Sequence, residues 1–277
     1  MSDVSSDVSF REGAGRVWCD KAVKLLHART GIVLGEHKVA STQRILHALS
    51  ERFADGDPAA LLHVLDRGEN SDAWTAFINA FTINHTAFFR EPHHFLRLEE
   101  FFRSRPQGCS VWCAAASTGE EPYSIAMVAQ EVYESARVSC SILATDIDTD
   151  ALGIAQTGVY ALARADSVGQ SRLKRHFLRG VGSHLGKAKI RSSVQERVSF
   201  ASFNLNAATW PAAESFDVVF CRNTMIYFDR PTQQQLLKNF ARVIRPGGLL
   251  FIGHSESITQ LTNAFSLLGQ TVYQRHY

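Results

Sequence analysis

The chain has 277 residues, 45% of them hydrophobic and 20% charged, with a net charge of +2 at neutral pH. That length supports a full core and more than one unit, because single cores stop growing near roughly 250 residues. So small a net charge gives no basis for nucleic-acid binding, no apolar run reaches the roughly 20 residues of a membrane span, and five cysteines without a CxxC spacing argue against a disulfide framework or a zinc–thiolate site.

The N-terminus, MSDVSSDVSF, is polar and acidic rather than a secretory signal, so an intracellular, cytoplasmic protein is expected, with residues 1–9 as a disordered tail. From residue 10 to 82 apolar positions recur at helical spacing, as in Ile45, Leu46 and Leu49 and again in Leu61, Leu62 and Leu65, with breaks at Gly31, Asp57-Pro58 and Gly68. This predicts a small all-α N-terminal domain. Asp57 with Pro58 reads as an N-cap followed by the first helical residue, and Ser71 or Asp72 as the cap of a helix over Ala73–Phe81. Residues 83–107 read as a linker and a connecting helix, His94–Arg103, with Phe77, Phe81, Phe88 and Phe89 as core joining two domains.

Over residues 108–277 the pattern changes to α/β. Short apolar runs suited to buried strands (Val111–Ala115, Ser141–Asp146, Val198–Phe203, Val218–Cys221, Leu249–Gly253) alternate with helical segments at Pro122–Tyr133, Thr149–Gln156 and Pro231–Ile244. With right-handed crossovers they make a doubly wound, mainly parallel sheet, with Arg245-Pro246-Gly247-Gly248 as a helix stop and turn, and Thr271–His276 as a last strand. Two runs, His176–Arg179 and Lys187–Arg191, flank a glycine-rich turn, which predicts a small antiparallel β-insertion at about 172–195. Between Arg164 and Arg191 eight Arg or Lys stand against one acid, Asp166: either a solvated face or a dock for an acidic partner.

Ligands of such sheets bind beyond the carboxyl ends of the strands, which puts Ala116–Glu121, Asp146 and Arg222-Asn223 on one rim. The small side chains of Ala114-Ala115-Ala116-Ser117-Thr118-Gly119 let a ligand approach the backbone, and Pro122 suits a first helical turn. Glu120 and Glu121 would repel a pyrophosphate but suit a cationic, hydroxyl-rich ligand; S-adenosylmethionine, with an ammonium and ribose hydroxyls, is one. Asp146 is placed to accept from both ribose hydroxyls, with capping of the following helix as its alternative, a role for which Asp148 competes. Glu120 and Glu121 have their own alternative as first-turn acids facing the helix dipole. His85, His93 and His94 lie close together without an acid or thiol at metal spacing, so no metal is expected.

Asn84-His85-Thr86-Ala87-Phe88-Phe89-Arg90-Glu91-Pro92-His93-His94-Phe95, the Ala114–Ser124 turn, Ala144–Asp148, Phe216-Asp217 to Phe228-Asp229 and Gly253-His254-Ser255-Glu256-Ser257 together resemble the chemotaxis receptor methyltransferases called CheR. The likeness runs from about residue 10 to the end and rests on five motifs in order; the GxGxG turn of the wider methyltransferase class is absent, as it is in that family. The resemblance implies a class I methyltransferase core with a β-subdomain insertion behind the helical domain. It also implies transfer of a methyl group from S-adenosylmethionine to glutamate side chains of bacterial chemoreceptors, with S-adenosylhomocysteine as product. Carried over by motif, Asn84, Thr86, Arg90, Glu121, Asp146, Asn204, Leu205, Arg222 and Asn223 would bind the cofactor, and Arg90 and Tyr227 would lie nearest the transferred methyl. Arg90 has a salt bridge within the domain junction as its alternative role, and Tyr227 a place in the core.

The reaction itself makes few demands: a glutamate of pKa near roughly 4.3 is already ionised at neutral pH and needs no general base, only alignment and exclusion of water. The expected partners are the cytoplasmic helical bundle of a receptor and a receptor C-terminal peptide at the β-insertion, with recruitment to membrane receptor arrays, no nucleic acid and no membrane insertion. A monomer is expected. Two other readings are an NAD-dependent oxidoreductase, disfavoured because the first turn lacks GxGxxG, and a non-catalytic adaptor that senses S-adenosylmethionine.

Overall fold

The computed structural model describes residues 4–35, 38–134, 138 and 140–277, with side chains described from residue 15 onward. The chain divides into two compact units: Met1–Thr82 with Tyr227–Asp229, and Ile83–Ile226 with Arg230–Tyr277.

Among the described residues the first unit holds four α-helices, α1 (Val4–Thr30), α2 (Val39–Phe53), α3 (Pro58–Arg67) and α4 (Ser71–Phe81). Their apolar stripes meet in one core containing Leu26, Leu46, Leu61, Leu62, Leu65 and Phe77. Asp57 caps α3 by accepting from Ala59 N at 2.8 Å, ahead of Pro58, as the spacing predicts. The cap of α4 is Asn70, whose Oδ1 accepts from Ala73 N at 2.9 Å, not Ser71 or Asp72, which are already helical. The disordered tail expected over residues 1–9 falls partly on residues 1–3, outside the described residues; from Val4 the backbone is helical, since extending a formed helix gains a hydrogen bond for each residue fixed. The short segment Tyr227–Asp229 is bound into this unit through an antiparallel bridge, Ile32 to Phe228, and a 2.8 Å bond from Val33 N to Tyr227 O.

The second unit runs through α5 (Pro92–Arg103), β1 (Ser110–Cys113), α6 (Glu120–Val132), β2 (Ser141–Asp146), α7 (Thr149–Thr157), β3 (Val159–Ala161), α8 (Leu162–Ala165), α9 (Gln170–His176), β4 (Phe177–Arg179), β5 (Lys187–Ile190), α10 (Ser192–Gln195), β6 (Val198–Ser202), β7 (Phe216–Phe220), α11 (Arg230–Val243), β8 (Ile244–Phe251), β9 (Phe265–Gly269) and β10 (Val272–Arg275). Seven strands form one sheet in the order β6-β2-β1-β7-β8-β10-β9, parallel except for β10, which runs antiparallel to β8 and β9. The strand order reverses between β1 and β7, where Val111 pairs with Ile142 on one side and Val218 on the other. That reversal opens a crevice at the carboxyl ends, the place where such sheets take ligands. Burial on both faces explains the unbroken apolar runs: Trp112, Phe220 and Phe251 are inaccessible, with the last two stacked 4.2 Å apart.

Three strands form a separate antiparallel sheet, β3-β5-β4, with Tyr160 opposite Ala188 and Phe177 opposite Ile190. It draws in Val159–Ala161, ahead of the 172–195 span expected for the insertion, because a three-residue strand is too short to show a period of two. Two further expectations change. Pro246-Gly247-Gly248 is no turn: β8 begins at Ile244 and passes through a bulge between its pairings with Phe216 and Val218, where Gly247 takes φ 75°. Phe77 and Phe81 lie in the core of the first unit, whereas Phe88 and Phe89 lie in that of the second, so they are not a shared core.

Candidate active site

The rim is built from the loops that leave β1, β2, β7 and β8. After β1 the chain is held between its two neighbours by Ala114 N to Phe220 O (2.8 Å) and Ala116 N to Thr145 O (2.9 Å). Ser117 then takes φ 48° and Gly119 φ 97°. A Cβ at Gly119 would stand 2.7 Å from the Tyr160 hydroxyl and 2.8 Å from Ala155 Cβ, so no other residue fits there without displacement. Tyr160, from the small sheet, donates to Thr118 O at 2.8 Å, and Arg164 pairs with the fully buried carboxylate of Glu120. Sequence reasoning missed this brace, whose partners lie some forty residues apart.

Asp146, the last residue of β2, accepts from Ser117 N at 2.7 Å on one oxygen and from Asp148 N at 2.9 Å on the other. Burial pushes its carboxyl above the usual range, against the pull of those N–H groups. Of the two candidate caps for α7, Asp148 is the cap, accepting from Asp150 N and Ala151 N. Asn84 closes the group: its Nδ2 donates to Asp148 Oδ2 at 2.6 Å and its Oδ1 accepts from Ser117 Oγ at 2.9 Å.

The second cluster centres on Arg222, after β7. Its Nη1 donates to Glu121 Oε2 at 2.6 Å and its Nη2 to Arg90 O at 2.5 Å, with Glu91 Oε2 at 3.2 Å. Glu121 Oε1 accepts from the Cys113 thiol at 3.2 Å. Burial and the neighbouring carboxylate hold that thiol far above its ordinary range, so it stays a donor. Arg90 itself is half-buried and donates from Nη1 to His85 O at 2.9 Å. Asn223 sits at φ 56° with its N–H on Glu256 Oε2, an oxygen that also accepts from Gly253 N, while Glu256 Oε1 accepts from Ile226 N. Glu256 was visible only as a letter of the Gly253–Ser257 motif; the bonds it makes depend on two loops that meet in space.

The structure thus links Asn84 to Asp146 through Ser117, and joins Glu121 with Arg222 and the backbone of Arg90. Asn204 follows β6 and accepts from Asn206 N; Leu205 beside it is buried, and Thr86 is half-buried between Asn84 and Arg90. Tyr227 ends a 3₁₀ turn, Met225–Tyr227, and is grouped with the first unit. Of the three histidines, His93 and His94 do have an acid neighbour: ligand atoms of Glu91, His93 and His94 lie within 4.8 Å of one another.

Chemically, the rim offers a carboxylate with spare lone pairs beside a small-residue loop and a buried, paired guanidinium, which suits orientation of a polar nucleoside more than acid–base relay. Residues 84–274 match the family model described as "CheR methyltransferase, SAM binding domain". A chemotaxis protein methyltransferase of Klebsiella aerogenes is 45% identical over 250 residues, covering 90% of this chain and 86% of that one. Those of Salmonella typhimurium (43% over 268 residues, 97% and 90% covered) and Escherichia coli (42% over 250 residues, 90% and 87% covered) are similar to nearly the same degree.

Proposed function

The chain belongs to the CheR methyltransferase family, and on that premise we propose that it transfers a methyl group from S-adenosylmethionine to side-chain carboxylates of specific glutamates in bacterial chemoreceptors, leaving glutamate methyl esters and S-adenosylhomocysteine. The observation that carries this reading in the structure is the meeting of Asp146, Ser117 and Asn84 where β1 and β2 end. A carboxylate has about four lone-pair sites, so the backbone bonds on Asp146 leave acceptor capacity for ribose hydroxyls. Gly119 lets the loop pass close against Tyr160 and Ala155, which fixes its course beside Asp146.

Thr86, Asn204, Leu205 and Asn223 complete the assigned cofactor contacts with Asn84, Arg90, Asp146, Glu121 and Arg222. Glu121 keeps lone pairs for the cofactor ammonium while Arg222 fixes its direction. When bound, S-adenosylmethionine supplies the electrophilic methyl of its sulfonium group. With one Nη of Arg90 committed to His85 O, its remaining N–H groups serve to hold the incoming carboxylate, and Tyr227 donates to one carboxylate oxygen. No residue has to remove a proton, because the acceptor is ionised already.

The helical unit is assigned to the receptor's helical bundle, and the three-stranded sheet to a receptor C-terminal tail that adds a strand beside β4. Support for the tail comes from the unpaired edge of β4, from Val181 and Leu185, which are 76% and 74% exposed, and from the surrounding Arg and Lys. Tethering by that tail would bring a monomeric enzyme to membrane receptor arrays; no helix among the described residues is long and apolar enough to cross a membrane. Calorimetry tests the pocket: S-adenosylhomocysteine binds and NADH does not, and the reverse order would replace this reading with an oxidoreductase.

A further inference from the structure

We propose that Glu91, His93 and His94, at the start of α5, form a binding site for a divalent cation of the zinc type. The His94 ring is wholly buried. Its Nε2 lies 2.8 Å from Gln270 O and 3.1 Å from Thr271 Oγ1. A carbonyl oxygen only accepts, so Nε2 carries the proton and Nδ1 presents a lone pair. Nδ1 faces Glu91 Oε2 at 3.4 Å and has no hydrogen-bond partner, while Oε2 has the Arg222 guanidinium at 3.2 Å. Two buried acceptors turned toward each other are unfavourable unless a cation lies between them.

The spacing suits a metal. At about 2.0–2.1 Å to imidazole nitrogen and about 2.0–2.2 Å to carboxylate oxygen, tetrahedral ligands stand about 3.3–3.5 Å apart, matching the separation of these two atoms. His93 supplies a third ligand from within 4.8 Å, its ring 4.4 Å from that of His94. The bond from Nε2–H to a backbone carbonyl is the kind that orients metal-bound imidazoles. Charge agrees as well: Arg222 approaches Glu91 Oε2 to 3.2 Å but also pairs with Glu121, so one guanidinium faces two carboxylates and negative charge is left over. A bound ion would staple the first turn of α5 to the turn between β9 and β10 that carries Gln270 and Thr271.

The test uses the full chain, stripped with a chelator and titrated with Zn²⁺ alone against a chromogenic competitor at neutral pH. One equivalent is expected to bind in the micromolar range or tighter, and Co²⁺ in its place should give the absorption of a tetrahedral site. His93→Ala, which alters a half-buried ring outside the cofactor rim, and Glu91→Gln should each weaken Zn²⁺ at least tenfold while circular dichroism stays native. No uptake, or equal affinity in both variants, overturns the site. So does nitrogen NMR of the Zn²⁺-treated protein showing both His94 nitrogens protonated, since a proton would then fill the gap.

Discussion

Arg222 Nη1 and Glu121 Oε2 meet at 2.6 Å with 2% and 10% of their side chains exposed, a buried ion pair that ties β7 to the first turn of α6. The same guanidinium holds the carbonyl of Arg90, so one side chain sets the positions of two other rim groups. Arg222→Met should therefore leave a buried carboxylate without its counter-charge and cost about 3–5 kcal/mol in urea unfolding. Removing both charges in Arg222→Met with Glu121→Leu should be milder than the single change. Equal losses in the single and double variants would mean the pair is not coupled.

Asp146→Asn keeps one oxygen for Ser117 N but removes the charge offered to a ligand. A hydrogen bond to a charged acceptor is worth about 1.5–3 kcal/mol, so S-adenosylhomocysteine should bind about 10- to 100-fold more weakly, and the melting temperature should fall as well, because the amide nitrogen cannot accept from Asp148 N. Unaltered affinity by calorimetry would remove Asp146 from the cofactor site.

Stability at low pH should depend on Glu131 of α6. Burial alone would raise its carboxyl, but hydrogen bonds from His176 and Arg172 of α9 outweigh this and hold it at about 2. A carboxyl depressed in the folded state adds stability above its unfolded value, near roughly 4.3, and loses it as pH falls toward 2. Wild type should thus exceed Glu131→Gln in unfolding free energy at neutral pH, and the gap should close near the acid end. A gap that stays constant across that range would contradict the assignment.

Val181→Asp and Leu185→Asp place charge on the exposed apolar turn of the small sheet. Fluorescence anisotropy with a peptide from the cognate receptor tail should show loss of binding, while S-adenosylhomocysteine affinity holds. If the peptide binds both variants as it binds wild type, its dock lies elsewhere.

Much of the central sheet was legible because strands buried on both faces leave runs such as Val218–Cys221 that few other structures explain, and because Ala114–Gly119 and Asp146 fall at strand ends. What stayed hidden depends on pairing across distance. Val159–Ala161 is too short to show a period, and Glu91 is only a letter of the Asn84–Phe95 motif until Arg222 and His94 are folded against it. Likewise nothing local separates Phe81 from Phe88, yet they belong to different cores. Asn70 shows the limit of capping rules: Ser71 and Asp72 were the residues offered, and the backbone is extended one residue earlier, at Asn70.

The central claim is methyl transfer onto an already ionised side chain. Its most direct measurement is incubation of the protein with methyl-labelled S-adenosylmethionine and membranes bearing chemoreceptors, followed by alkali. The account predicts label in the receptor band that is released as methanol, and its near loss with Arg90→Ala. Label that resists alkali, or none in the receptor while S-adenosylhomocysteine still binds, would contradict it.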